Sequence, residues 1–196
     1  MTAVLEQPHA PRPKKWSKEE YLDLVERGVF RGQRVILFRG DIIEMPPQGH
    51  PHQYAIMKLV RYLTDTFRPP YEVRIQLPFI TPGSTVPEPD AAVCKEADID
   101  HMPSPVHAEL IVEVAYSSLR EDRALAEEYA AAKVPEYWIV DIDRRCIEVY
   151  RNPVEDRAAR LGYRYADVRV YKLGESVSPA SRPEAEIPVG FFFPGE

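Results

Sequence analysis

Two acids stand where the surrounding sequence argues against them. Glu113 interrupts Leu110-Ile111-Val112 and Val114-Ala115 within the nearly continuous apolar run at residues 108–116. A run of that kind is the pattern of a central strand covered on both faces. A lone carboxylate there is costly unless it is paired, protonated or bound to a metal. Asp90 follows Pro89 and opens a second apolar stretch, Ala91-Ala92-Val93-Cys94. On an extended segment Glu88, Asp90 and Ala92 share one face, because side chains alternate with period two. Two acids on neighbouring strands, each at the edge of an apolar run, can converge on one point. Oxygen donors of that kind suit Mg²⁺ or Mn²⁺. The residues leave two alternatives open. Glu113 could sit in a structural ion pair with an arginine, and Asp90 could cap a Pro-Asp turn.

Other chemistries find less support. Gly28, Gly32 and Gly40 follow no phosphate-loop spacing, and the chain has no G-x-S-x-G elbow. Cys94 and Cys146 are far apart and belong to no C-x-x-C pair, so both read as reduced core thiols. His50 and His52 flank Pro51, and read either as ligands on an extended segment or as a solvated loop pair. The formal net charge of −6 removes any global basic signature of nucleic-acid binding, although a local Lys/Arg cluster can still meet phosphates. Basic residues beside aromatics, as at Lys14-Lys15-Trp16 and Tyr163-Arg164-Tyr165, fit a nucleic-acid groove or the rim of a core. No apolar run reaches membrane-spanning length, and the N-terminal segment lacks an apolar signal core, so no membrane association and a cytoplasmic location are the default expectations.

The spacing Val86-Pro-Glu-Pro-Asp90, then Glu109-Leu-Ile-Val-Glu113-Val114, resembles the Pro-Asp…Glu core of the PD-(D/E)XK nuclease superfamily. Together with RGDIIEMPP, the following His52, VRIQLPF, LIVEVAYSS and VPEYWIVD, it resembles the Uma-two family of restriction-endonuclease-like proteins over roughly residues 15–170. The resemblance implies an α/β (α+β) restriction-endonuclease-like fold, a mixed sheet flanked by helices. It implies a divalent-metal-dependent endonuclease hydrolysing DNA phosphodiester bonds, with Mg²⁺ or Mn²⁺ held by Asp90, Glu113 and the backbone carbonyl of Val114. Gln76 and His52 match family positions near the site; for His52, a helix N-terminal residue with a satisfied hydrogen bond is the alternative. A homodimer is implied as well, because two active sites are needed to cut both strands.

The match departs at two places. The superfamily's lysine is absent after Glu113, and the family's version of it, within Asp-Arg-x-x-Lys and four residues before a tyrosine, is missing too. Asp122-Arg123 and Tyr129 are present, but the lysine position falls on Ala126 counted forward and on Leu125 counted back. Arg123, Arg120 and Lys95 are the candidate substitute cations, with Lys133 farther along. Arginine stays protonated, so it can stabilise a phosphate but is poorly suited to activating water. Ile36 stands where the family often has Glu, leaving Asp41 or Glu44 to serve. A catalytically impaired fold that binds DNA or a protein is therefore the alternative function.

The elements that must position these residues follow from periodicity and punctuation. Residues 1–15 read as a disordered tail before a single domain over 16–196. Ser17 and Glu20 form a capping-box pattern ahead of a short helix to about Glu26, with Gly28 as its stop. Residues 34–45 suggest a β-hairpin turning at Arg39-Gly40. His52, Ile56, Leu59, Val60, Leu63 and Phe67 have helical spacing up to Pro69-Pro70. Val73, Ile75, Leu77 and Phe79 alternate as a half-buried strand, and a strand entered through prolines spans 86–94. Ser117-Ser118 can cap a helix over about 119–132. Strands follow at 136–141, 147–150 and about 163–171, and the apolar end, Ile187 to Phe193, is expected to pack on the body.

Overall fold

The computed structural model describes residues 12–95 and 107–195. Its centre is a six-stranded mixed sheet built from β3 (Tyr71–Arg74), β4 (Ala91–Lys95), β5 (Leu110–Ala115), β6 (Glu136–Asp141), β7 (Cys146–Glu155) and β8 (Tyr163–Lys172), hydrogen-bonded in that order. Only the β5–β6 pairing is parallel. A parallel pair needs a crossover, and α3 (Leu119–Ala131) supplies it by crossing one face of the sheet. On the other face lies α2 (His50–Thr66), with the 3₁₀ turn Val189–Phe192 beside it.

β5 is buried at every position, as its apolar run predicts. Leu110, Val112 and Val114 pack with Leu59, Leu63 and Trp138 beneath α2. Ile111 and Ala115 pack with Leu125, Tyr129 and Tyr137 beneath α3. Glu113, two residues from each of Ile111 and Ala115, shares their face, so its carboxylate lies on the α3 side. The C-terminal residues Val189, Phe192 and Phe193 are buried in the α2-side cluster, so the apolar end does pack on the body. Cys94 and Cys146 are buried thiols.

A smaller unit covers one end. The helix α1 (Lys18–Glu26) begins with the capping box read from the sequence: Glu20 N–H donates to Ser17 Oγ at 3.1 Å, and Ser17 N–H to Glu20 Oε2 at 2.9 Å. Gly28 follows with φ 71°, the left-handed stop a glycine provides cheaply. Tyr21 packs with Val35 and Leu37 of the hairpin β1 (Val35–Phe38) and β2 (Asp41–Glu44). The remaining two-stranded ribbon pairs β9 (Ser176–Val177) with β10 (Ile187–Pro188).

Several boundaries differ from the periodicity. The alternation through Phe79 ends as a strand at Arg74, because Gln76 adopts φ 50° and turns the chain. The strand expected from Val86 begins at Ala91; Pro87 and Pro89 have no N–H for a ladder, and Val86 makes a single bridge to Leu37. The second helix starts at His50, capped by Gly49, with Pro51 in the first turn where its missing donor costs nothing. The histidine pair therefore lies on a helix rather than a loop. Of the expected tail, residues 1–11 lie outside the described residues. Lys14 and Lys15 are placed, 2.5 Å from the carboxylates of Glu20 and Asp41.

Candidate active site

Asp90 and Glu113 meet across adjacent strands. Ala91 stands opposite Val112 in the antiparallel β4–β5 register, which puts the preceding Asp90 beside Glu113. They are joined through backbone donors: Asp90 N–H donates to Glu113 Oε2 at 3.1 Å, and Val114 N–H donates to Asp90 Oδ2 at 2.9 Å. Gln76 Nε2 donates to Asp90 Oδ1 at 3.1 Å, and Gln76 N–H is tied to Pro89 O at 3.0 Å. The left-handed turn that ends β3 is what brings Gln76 back over Asp90. Tyr129, fully buried on α3, donates its hydroxyl proton to Glu113 Oε1 at 2.8 Å. His52, in the first turn of α2, places Nε2 3.1 Å from Asp90 Oδ2. An ionised carboxylate only accepts, so Nε2 carries the proton of this contact. His52 Nδ1 is buried without a partner, so the satisfied-imidazole alternative holds for one ring nitrogen and not for the other.

A third acid joins them. Asp122 is buried near the start of α3 and accepts a hydrogen bond from Ser118 Oγ at 2.6 Å. Ser118 therefore spends its hydroxyl on Asp122 and makes no side-chain cap bond to the helix backbone. Asp90, Glu113 and Asp122 line one cavity of about 60 Å³, together with Arg34, Ile36, His52, Glu88, Val114, Ser118 and Leu125. Burial, then the negative charges of Asp90 and Asp122, push the Glu113 carboxyl well above the usual carboxylate range, against the bonds it accepts from Tyr129 and Asp90. Burial likewise pushes Asp122 up to about 7, with Ser118 opposing and Asp90 adding to the rise. Glu88 is raised by burial, with Arg34 opposing.

The cations take other places than the sequence suggests. Arg123 does not line the cavity; its guanidinium is bonded to Glu148 of β7. Consecutive helical residues point about 100° apart, so Asp122 and Arg123 cannot both face the same cavity. Lys95 pairs with Glu109 at 3.5 Å, Arg120 is exposed, and Lys133 lies over the ring of Tyr163. The cation that does line the cavity is Arg34, whose Nε is 3.9 Å from Glu88 Oε2. The motifs do not single out Arg34, yet period-two alternation from Ile36 puts it on the same side. The positions at which the resemblance departs divide around this cavity. Ile36 and Leu125 line it; Ala126 does not, and neither do Asp41 and Glu44, which are exposed on β2. No arginine bonds to Asp90 or Glu113 among the described residues, which argues against the ion-pair alternative.

The donor set fits a hard divalent cation: three buried carboxylates crowd one cavity, and two of them, Glu113 and Asp122, are pushed toward protonation by burial first and by neighbouring carboxylate charge second. Oxygen donors of this type suit Mg²⁺ or Mn²⁺. Among the described residues, no three His, Cys, Asp or Glu donors are already gathered as a metal-binding cluster; the acids are held instead by hydrogen-bond donors. No helix among the described residues is long and apolar enough to cross a membrane.

Comparison with known proteins gives a fold and a family. No curated protein matches the chain. A crystal structure described as a putative nuclease belonging to DUF820, from Anabaena variabilis, is similar in fold, with a TM-score of 0.67 at 16% identity over 89% of this chain and 96% of that one. The mixed six-stranded sheet with the three α-helices of the described residues, the first of them N-terminal, and the hairpin is thus a nuclease-like fold. The model of the Uma2 family, described as "Putative restriction endonuclease", matches residues 18–190, and the chain belongs to that family.

Proposed function

We propose that the protein is a divalent-metal-dependent endonuclease that hydrolyses phosphodiester bonds of DNA, with Asp90, Glu113 and Asp122 as the acids that hold the metal. The observation that carries this reading is the meeting of Asp90 and Glu113 across β4 and β5 in a cavity shared with Asp122. A bound Mg²⁺ or Mn²⁺ would supply Lewis-acid chemistry and a water of lowered pKa. The Val114 carbonyl is the proposed backbone ligand, since Val114 lines the same cavity.

The chain's own residues have distinct tasks. Gln76 and the Val114 N–H each hold one oxygen of Asp90, which fixes the rotation of that carboxylate. Tyr129 and the Asp90 N–H do the same for Glu113. His52 bonds Asp90 from the α2 side, and its open Nδ1 is a proton acceptor. Arg34 is the positive group placed to meet a phosphate oxygen. It does not replace a lysine in activating water. On this reading cleavage of both strands of a duplex requires two copies, so the active form is a homodimer, which light scattering on the purified protein would detect.

Plasmid nicking in Mg²⁺ or Mn²⁺ tests the proposal. Asp90→Asn should reduce nicking by about 10²–10³-fold, the usual scale for one electrostatic catalytic group. Equal nicking by wild type and variant defeats it. The alternative, an impaired nuclease fold that still binds DNA or a partner, draws on Ile36 and Leu125, two apolar side chains at the cavity wall: the resemblance implies an acid in place of Ile36 and a lysine at Leu125 or Ala126.

A further inference from the structure

We propose that a basic groove at the β6–β7 turn carries the phosphodiester backbone of a DNA strand beside the cavity of Asp90, Glu113 and Asp122. This rests on the nuclease reading and names the surface that such a substrate would occupy. The groove has a volume of about 390 Å³ and is lined by Arg123, Arg144, Arg145 and Lys172 over a floor that includes Glu148 and Val170. Its lining holds four cations and one acid, Glu148, on a chain whose formal net charge is −6; Asp141 beneath Arg144 and Glu175 beside Lys172 are the neighbouring acids. The turn also carries one exposed acid, Asp143.

Position comes from the register. Glu113 of β5 stands opposite Ile139, Ile139 opposite Glu148, and Glu148 opposite Val170. Residues paired in this way share a face, so the groove floor lies on the same side of the sheet as Glu113. Strands are spaced about 4.8 Å apart, which puts Glu148 roughly 10 Å from Glu113 along that row. At about 3.4 Å of rise per phosphate along a strand, the separation is a few phosphate steps. The N-terminal part of α3 forms the divide. Asp122 faces the acid cavity, and Arg123, one position on, faces the groove.

The arginines are held in place before any ligand arrives. Glu148 and Asp141 are almost fully buried and anchor their partners from below, while the Arg123 and Arg144 side chains remain 43% and 58% exposed. Arg144 N–H donates to Asp141 Oδ1 at 3.0 Å, and its Nε lies 3.7 Å from Asp141 Oδ2. Arg145 donates to Pro194 O at 3.3 Å and stacks over Phe193, while its Nε is buried without a partner. Side chains ordered in advance lose little freedom on binding. Exposed Val170 and Leu173 give the groove an apolar strip against which sugar faces can lie.

The test is binding without cleavage: anisotropy of a fluorescent DNA duplex titrated in EDTA across a salt series. Arg144→Ala/Lys172→Ala removes two groove charges without touching the acid cavity. Arg27→Ala/Arg68→Ala removes two exposed charges elsewhere as the control. The groove variant should bind about tenfold more weakly per lost contact, with a salt slope reduced by about 2. The control should match wild type, and circular dichroism should show all three folded. Absence of wild-type binding, or equal loss in the groove and control variants, overturns the proposal. So does a groove variant that binds with wild-type affinity and slope. The two readings fail separately. Groove-dependent binding with no Asp90-dependent nicking leaves the groove and removes the nuclease; Asp90-dependent nicking with groove-independent binding does the reverse.

Discussion

Asp122 offers a direct physical test of the acid cavity. Burial and the neighbouring charge of Asp90 move its carboxyl from an ordinary 3.8 to about 7. The folded chain thus holds this proton far more tightly than the unfolded chain. As pH rises through about 4 the unfolded state releases the proton and the folded state keeps it, so stability falls until the folded group also ionises near 7. Below about 4 both states are protonated and the difference vanishes. A tenfold change in proton affinity corresponds to about 1.4 kcal/mol, which sets a ceiling of about 4 kcal/mol on this destabilisation at pH 8. Asp122→Asn removes the charge, keeps the shape and leaves an amide oxygen to accept from Ser118. Allowing half the ceiling for relaxation, the variant should gain about 2 kcal/mol at pH 8, or about 4–8 °C in Tm for a chain of this size. It should gain nothing at pH 3.5. Thermal unfolding of both proteins in EDTA, followed by circular dichroism at the two pH values, reads the difference. Asp122→Asn that is less stable than wild type at pH 8 would refute the reasoning, because it would mean that the ionised carboxylate is stabilised by its surroundings.

Other outcomes follow from side chains of α3. Leu125→Lys places an ammonium at the cavity wall and should raise Mg²⁺-dependent nicking by about 10–10³-fold, whereas Ala126→Lys, which lies off that wall, should leave it near wild type; parallel nicking assays compare them. Tyr129→Phe strips the donor from Glu113 Oε1 in a fully buried site and should cost about 1–3 kcal/mol, read from urea denaturation. Glu128→Ala should cost a similar amount, about 1–3 kcal/mol. That acid is fully buried and accepts from Thr85 Oγ1 at 3.0 Å and from Arg160, so its loss leaves a buried hydroxyl without an acceptor.

How far the sequence was legible depends on whether a feature is local. The capping box at Ser17 and Glu20, the stop at Gly28 and the buried run of β5 were readable because each is set by a few contiguous residues and one periodicity. The same holds for Asp90 and Glu113. An acid inside an apolar strand is anomalous in any fold, and the anomaly points to a shared site before the fold is known. The chain's membership in a nuclease-like family was readable for a related reason, since its motifs lie at strand ends with regular spacing.

Tertiary structure alone decided what surrounds those acids. Nothing local says that Gln76 turns back through a left-handed conformation to reach Asp90, or that Tyr129 closes on Glu113 from the crossover helix. Asp122 read as half of a dipeptide motif; the crossover of α3 makes it a buried acid of the same cavity as Asp90 and Glu113. The same helical rotation sends Arg123 away to Glu148 and leaves Leu125 at the wall. Choosing among Arg123, Arg120, Lys95 and Arg34 as the nearby cation required distances between segments far apart in the chain. Spacing along a sequence fixes side-chain direction within one element, whereas the meeting of elements is set by how their apolar faces pack.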